Sequence, residues 1–132
     1  IVTYAINHVH IRAKDPHVSA KWYEKFFGAQ MMFAKEIMPG TITISLAMDG
    51  PVRLNISTAP AGSSDERGNA ELNHLGLEHF GFSVEDVDRE IQNLEESAVR
   101  IVMPVTELIG GAKIAYIEGP DDVLIELVQA PE

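Results

Sequence analysis

Apolar and polar positions alternate along residues 4–14 (YAINHVHIRAK), with Val9, Ile11 and Ala13 on one side and His8, His10 and Arg12 on the other. Side chains alternate across a strand, so this pattern predicts a half-buried strand. Asp15-Pro16 then breaks the strand and opens a helix. Asp15 is placed to cap it, and Pro16 suits the first turn, where its missing N–H leaves no donor orphaned. Val18, Trp22 and Phe26 share a helical face, and Gly28 ends the helix. Three short strands are expected near 30–37, 41–48 and 52–58, with turns at Pro39-Gly40 and Asp49-Gly50-Pro51. Residues 59–73 (APAGSSDERGNAELN) are small, polar and charged, and read as a linker or surface loop.

The same order then recurs. LGLEHFGFSV at 75–84 places Phe80, Phe82 and Val84 on one side of a strand. Val87, Ile91, Leu94 and Ala98 form a helical stripe, and strands follow near 100–105, 112–118 and 123–129. His8 and His79 lie 71 positions apart, as do Asn55 and Glu126; at that offset Asp15 falls on Asp86, Gly40 on Gly111 and Val52 on Val123. A repeat of this length is a whole supersecondary module. The expected fold class is therefore α+β, built from two βαβββ modules in a single domain over 1–132. Module 1 covers about 4–59, the linker about 60–73 and module 2 about 74–130.

Strand alternation sets His8 opposite Val9, Ile11 and Ala13, and His79 opposite Phe80, Phe82 and Val84. Asn55 and Glu126 likewise point away from the aliphatic residues on either side of them. All four then share the sheet face turned from the helices. An inward carboxylate at Glu126 is costly unless paired or bound to metal. Two histidines and a glutamate are a donor set suited to Fe(II), Mn, Ni, Co or Zn with open coordination sites. A salt bridge from Glu126 and hydrogen-bonded histidines are the bland alternatives.

Composition narrows the partners. The 132 residues include ten basic and twenty acidic side chains, a net charge of −10, so nucleic acid and anionic membrane are not expected partners. No apolar run approaches the ~20 residues of a bilayer span. No cysteine is present, which excludes thiolate ligands and disulfides and fits a cytoplasmic setting. No signal-peptide pattern is visible. Against that acidic background, Arg12 on the face of His8 and Arg53 on the face of Asn55 are candidate clamps for a substrate anion. Each could equally neutralise a neighbouring acid or reach out to solvent. His10 is a candidate to support the ligands from behind, to act as an acid–base residue or to hydrogen-bond across strands, and His17 and His74 are expected at the surface.

The segments NHVHIRAKDP at 7–16, WYEKFFG at 22–28, HFGFSVEDVD at 79–88, GGAKIAYIEGP at 110–120 and VLIELVQ at 123–129 together resemble the vicinal oxygen chelate superfamily. That superfamily contains glyoxalase I, methylmalonyl-CoA epimerase, extradiol dioxygenases, fosfomycin-resistance transferases and bleomycin-binding proteins. The resemblance implies paired modules forming an incomplete barrel around one divalent metal ion (Ni, Co, Zn, Mn or Fe(II)). Its ligand positions fall on His8, His79 and Glu126, with Asn55 at the fourth. Glyoxalase-like members carry Glu there and epimerases Gln, so Asn55 is a departure that leaves one ligand carboxylate. A second departure is Thr43, where epimerases place a catalytic Glu; Thr is no carboxylate base near neutral pH. Thr43 joins Arg12 and Arg53 as a substrate-binding candidate, and Glu126 and Tyr116 are the catalytic candidates.

The resemblance implies a lyase or isomerase related to lactoylglutathione lyase, acting on a small oxygen-chelating substrate through a metal-stabilised enediolate. A metal-free drug-binding or resistance protein and an Fe(II) extradiol-type dioxygenase are the alternatives. A homodimer is expected on the same ground.

Overall fold

The structure is a computed structural model, which describes residues 3–64 and 70–132. Residues 65–69 of the expected linker lie outside the described residues. The chain divides into two compact units, Ile1–Asp65 and Glu66–Glu132.

In the first unit, β1 (His8–Ala13), α1 (Pro16–Phe27), β2 (Gln30–Lys35), β3 (Thr43–Ala47) and β4 (Arg53–Thr58) follow in order. The second unit contains β5 (Phe80–Ser83), α2 (Val87–Glu96), β6 (Ile101–Glu107), β7 (Lys113–Gly119) and β8 (Val123–Gln129). Each unit has one open four-stranded sheet, ordered β1-β4-β3-β2 and β5-β8-β7-β6. This is the α+β, doubled βαβββ class the alternation predicts. β1 runs parallel to β4, and β5 parallel to β8; the other pairs are antiparallel. The registers are also equivalent. His10 pairs with Asn55, and Gly81, its counterpart 71 positions on, pairs with Glu126.

The local signals act as their chemistry dictates. Asp15 caps α1, its carboxylate accepting from the backbone N–H of His17 and Val18. Gly28 closes α1 at φ 64, the left-handed conformation that a Cβ disfavours. Asp86 caps α2 in the same way, through the Arg89 N–H. In the first unit the dry face of the sheet, with Ile11, Ala13, Ile44, Leu46, Leu54 and Ile56, packs under α1; Val87, Ile91 and Leu94 of α2 cover their own sheet. Among the described residues no helix is long and apolar enough to cross a membrane.

Three details differ from the pattern. The buried face of α1 is Ser19, Ala20 and Tyr23, while Val18 is 64% exposed. Small residues at 19 and 20 let the helix backbone approach the sheet, whereas Trp22 instead gathers Tyr23, Phe26 and Phe27 in tilted and edge-on ring contacts along the helix. Ala98 lies beyond α2 at φ 62 and is exposed, so the stripe ends at Leu94. The strands begin later than the alternation suggests: Tyr4, Ile6, Leu75 and Leu77 precede β1 and β5 and are all strongly exposed.

Candidate functional site

In the second unit, β8 carries Glu126 opposite Gly81 on one side and Tyr116 on the other. A Cβ at position 81 would stand 3.5 Å from Glu126 Oε2, so glycine leaves the carboxylate open on that flank. His79 sits just before β5, and its Nε2 lies 3.0 Å from Glu126 Oε2. Its Nδ1 lies 2.8 Å from Glu78 Oε1. The other Glu78 oxygen accepts from the Asn73 N–H at 2.6 Å, and Asn73 holds a left-handed turn at φ 70. That backbone N–H, with the His79 hydrogen bond, holds the Glu78 carboxyl below the ordinary glutamate value.

This arrangement has a proton-counting consequence. A neutral imidazole has one N–H and one lone pair. Whichever ring nitrogen carries it, the other presents its lone pair to a carboxylate, and with Nδ1–H on Glu78 that carboxylate is Glu126. Two electron-rich atoms at 3.0 Å call for a cation between or beside them, either a second proton on the ring or a metal ion. The Tyr116 ring stands edge-on to His79 with centroids 5.0 Å apart. Burial, and then the charges of Glu126 and Glu78, push its phenol above the ordinary tyrosine value, keeping it a hydrogen-bond donor.

In the first unit, His8, His10, Arg12, Thr43, Asn55 and Ser57 line a cleft of about 140 Å³, with Ile37, Met38 and Thr41 at its side. His8 Nδ1 meets Asn7 Oδ1 at 2.8 Å, so Asn7 orients this ring as Glu78 orients the other. His10 Nε2 hydrogen-bonds Ser57 Oγ at 2.8 Å, and Ser57 Oγ meets Thr43 Oγ1 at 2.8 Å. Burial, reinforced by Arg12 and His8, depresses the His10 imidazolium. Arg12 donates Nη1 to the Thr58 carbonyl at 3.0 Å. The Asn55 Oδ1 is buried and accepts no hydrogen bond, which is rare for an amide oxygen. The described residues lining the cleft include no carboxylate.

The structure therefore brings His79, Glu126 and Tyr116 together in one unit, and His8, Arg12, Thr43 and Asn55 around one cleft in the other. Arg53 shares the sheet face of Asn55 but does not line that cleft. No group of three or more His, Asp or Glu side chains among the described residues is arranged to hold a metal ion by itself. Donor chemistry in each unit suits a divalent ion all the same: the His79 imidazole and Glu126 carboxylate in the second, and the His8 imidazole and unpartnered Asn55 oxygen in the first. Sequence reasoning missed Asn7, Glu78 and Ser57. The 71-residue offset held the clue, because Asn7 and Glu78 are the residues before the two equivalent histidines.

Residues 5–127 match the sequence profile of the Glyoxalase/Bleomycin resistance protein/Dioxygenase superfamily. The chain is 29% identical to lactoylglutathione lyase of Schizosaccharomyces pombe, over 98% of this chain and 49% of that protein. Identity to lactoylglutathione lyase of Pseudomonas aeruginosa is 24%, over 96% and 83% of the two chains. The chain thus spans about half the length of the Schizosaccharomyces pombe protein and of glyoxalase I of Saccharomyces cerevisiae, to which it is 28% identical over 96% of this chain and 45% of that protein. Among solved structures, SMU.1112c superposes with a TM-score of 0.77 at 25% identity, over 96% of this chain and 98% of the other. Glyoxalase I from Zea mays gives 0.76 at 20% identity, over 96% and 45%, a likeness of fold.

Proposed function

The chain belongs to the Glyoxalase/Bleomycin resistance protein/Dioxygenase superfamily, and from that premise we propose that it is a divalent-metal-dependent lyase or isomerase of small oxygen-chelating substrates. The observation that carries this reading is the His79 ring held between Glu78 and Glu126 with its Nε2 aimed at the Glu126 carboxylate. Imidazole ligands to metals are ordinarily oriented in this way, by an acceptor on the other ring nitrogen. His79 and Glu126 are the proposed ligand pair of the second unit, and His8 with the Asn55 oxygen the equivalent pair of the first. The relatives named lactoylglutathione lyase support the same chemistry.

A divalent ion held by these residues would polarise two adjacent substrate oxygens and make a neighbouring C–H more acidic. The chain's own groups do the rest. Glu126 supplies the one carboxylate among the ligands and is the proposed proton acceptor. Tyr116, kept protonated, donates to an oxygen on which charge develops. In the first unit, Arg12 and the Thr43–Ser57 hydroxyl pair are the proposed holders of substrate in the cleft. One observation favours the alternative of a metal-free small-molecule binder. Thr43 and its hydroxyl partner line a cleft whose described residues include no carboxylate base.

Elemental mass spectrometry of protein purified without chelator separates the two. About one divalent ion per chain, lost in Glu126→Ala, is the expected result. No ion, and no uptake from Ni, Co, Zn, Mn or Fe(II), would leave the binding protein standing. We also propose a homodimer. The exposed apolar pairs Tyr4/Ile6 and Leu75/Leu77 occupy equivalent positions in the repeat, as do Ile37/Met38 and Leu108/Ile109. Light scattering would show twice the 14.5 kDa chain mass.

A further inference from the structure

Arg53 is an arginine where the repeat offers no reason for one. Its counterpart at the 71-residue offset is Leu124, which is 2% exposed and packed with Ala70, Ile114 and Tyr116. An apolar residue there fills the sheet face. Arg53 opens β4, registered against His8 on one side and the small Ala47 on the other. Its Nη1 is buried and has no hydrogen-bond partner. No carboxylate among the described residues pairs with it, although the chain carries twenty acidic side chains. The side chains on this face (His8, His10, Arg12, Thr43, Ser45, Asn55 and Ser57) include no acid to neutralise it.

A guanidinium stays charged at any physiological pH, and an unsatisfied buried N–H is costly. Two residues along the same strand face, the Asn55 Oδ1 is also buried and unpartnered. Donor and acceptor do not satisfy one another, so each is left for a third body. We infer that Arg53 anchors an oxyanion, a carboxylate or phosphoryl group, carried by the small molecule that this sheet face takes. This rests on the reading of the face as a substrate site, but not on the metal. Planar carboxylates match the guanidinium fork with two parallel hydrogen bonds, and phosphoryl oxygens do so as well. The substrate class is thereby narrowed to small organic acids or phosphate esters whose chelating oxygens lie close to the anion.

The test measures oxalate and inorganic phosphate binding to the full chain by calorimetry, as purified and after chelator treatment. Wild type is compared with Arg53→Met and with Arg89→Met, which removes the same charge from the exposed side of α2. Wild type should bind at least one anion in both preparations, and Arg53→Met should bind it roughly tenfold or more weakly. Preference for oxalate assigns a carboxylate; preference for phosphate assigns a phosphoryl group. Without anion Arg53→Met should melt no lower than wild type, since it removes an unsatisfied donor, and anion should raise the midpoint of wild type alone. An Arg53→Met chain that fails to fold or melts well below wild type makes Arg53 a scaffold residue and overturns the inference. Equal binding by Arg53→Met, equal loss in Arg89→Met, or no binding by wild type also overturns it. Metal content on the same samples reports separately on the metal-dependent reading.

Discussion

Glu78→Gln isolates the carboxylate that steers His79. Glutamine keeps one oxygen to accept from His79 Nδ1, but its amide nitrogen takes the place of the oxygen that accepts from the Asn73 N–H, contacts of 2.8 and 2.6 Å in the native chain. Shape survives, while the charge and one of the two accepted hydrogen bonds are lost. Metal affinity should then fall roughly ten- to hundredfold, the usual cost of altering a group that hydrogen-bonds a ligand imidazole. Stability should change little at neutral pH, because both side chains of the pair remain 27% and 23% exposed. What difference there is should close as the pH falls. The Glu78 carboxyl is depressed in the fold, so its contribution is fully present above the ordinary value of 4.5 and is lost as pH falls through the lower folded value. Glu78→Gln removes that limb and should flatten the fall in melting temperature below about pH 4.5. A competition titration of Zn or Ni against a chromophoric chelator, with thermal melts across acid pH, reads both effects. If Glu78→Gln bound metal as tightly as wild type, the orienting role would be refuted.

Three further outcomes are expected. Glu126→Gln should bring the Tyr116 phenol down toward 10.0, but not fully, because burial is the larger cause of its elevation and Glu126 the second; ultraviolet absorbance titration follows it. The elevated phenol contributes stability below the unfolded value of 10.0 that disappears as pH rises through the folded one, so this variant should also shift the alkaline limb of the melting curve. Asp15→Ala removes the side-chain cap of α1 and should cost about 0.5–2 kcal/mol by urea denaturation. Leu127→Ala empties a site that is fully buried in the native chain and should cost about 2–5 kcal/mol in the same assay.

The sequence by itself determined the element order, the caps at Asp15 and Asp86, the Gly28 stop and the pairing of equivalent positions in two halves. Those depend on period-two alternation, helical spacing and local capping chemistry, which are written in neighbouring residues. It also placed His8 and Asn55 on the polar face of one sheet, because a strand has only two faces to choose between. The helix was harder. Val18, Trp22 and Phe26 form the more apolar stripe, but Ser19, Ala20 and Tyr23 are buried, because the sheet and not the helix alone decides which face turns inward. Only the tertiary structure decided which atoms satisfy one another. Glu78 and Asn7 turn toward the histidine rings, Ser57 joins His10 to Thr43, and Asn55 Oδ1 and Arg53 Nη1 are left without partners. A hydrogen bond is won or lost over a few tenths of an ångström and a rotamer, so it depends on packing from elsewhere in the chain rather than on any local pattern.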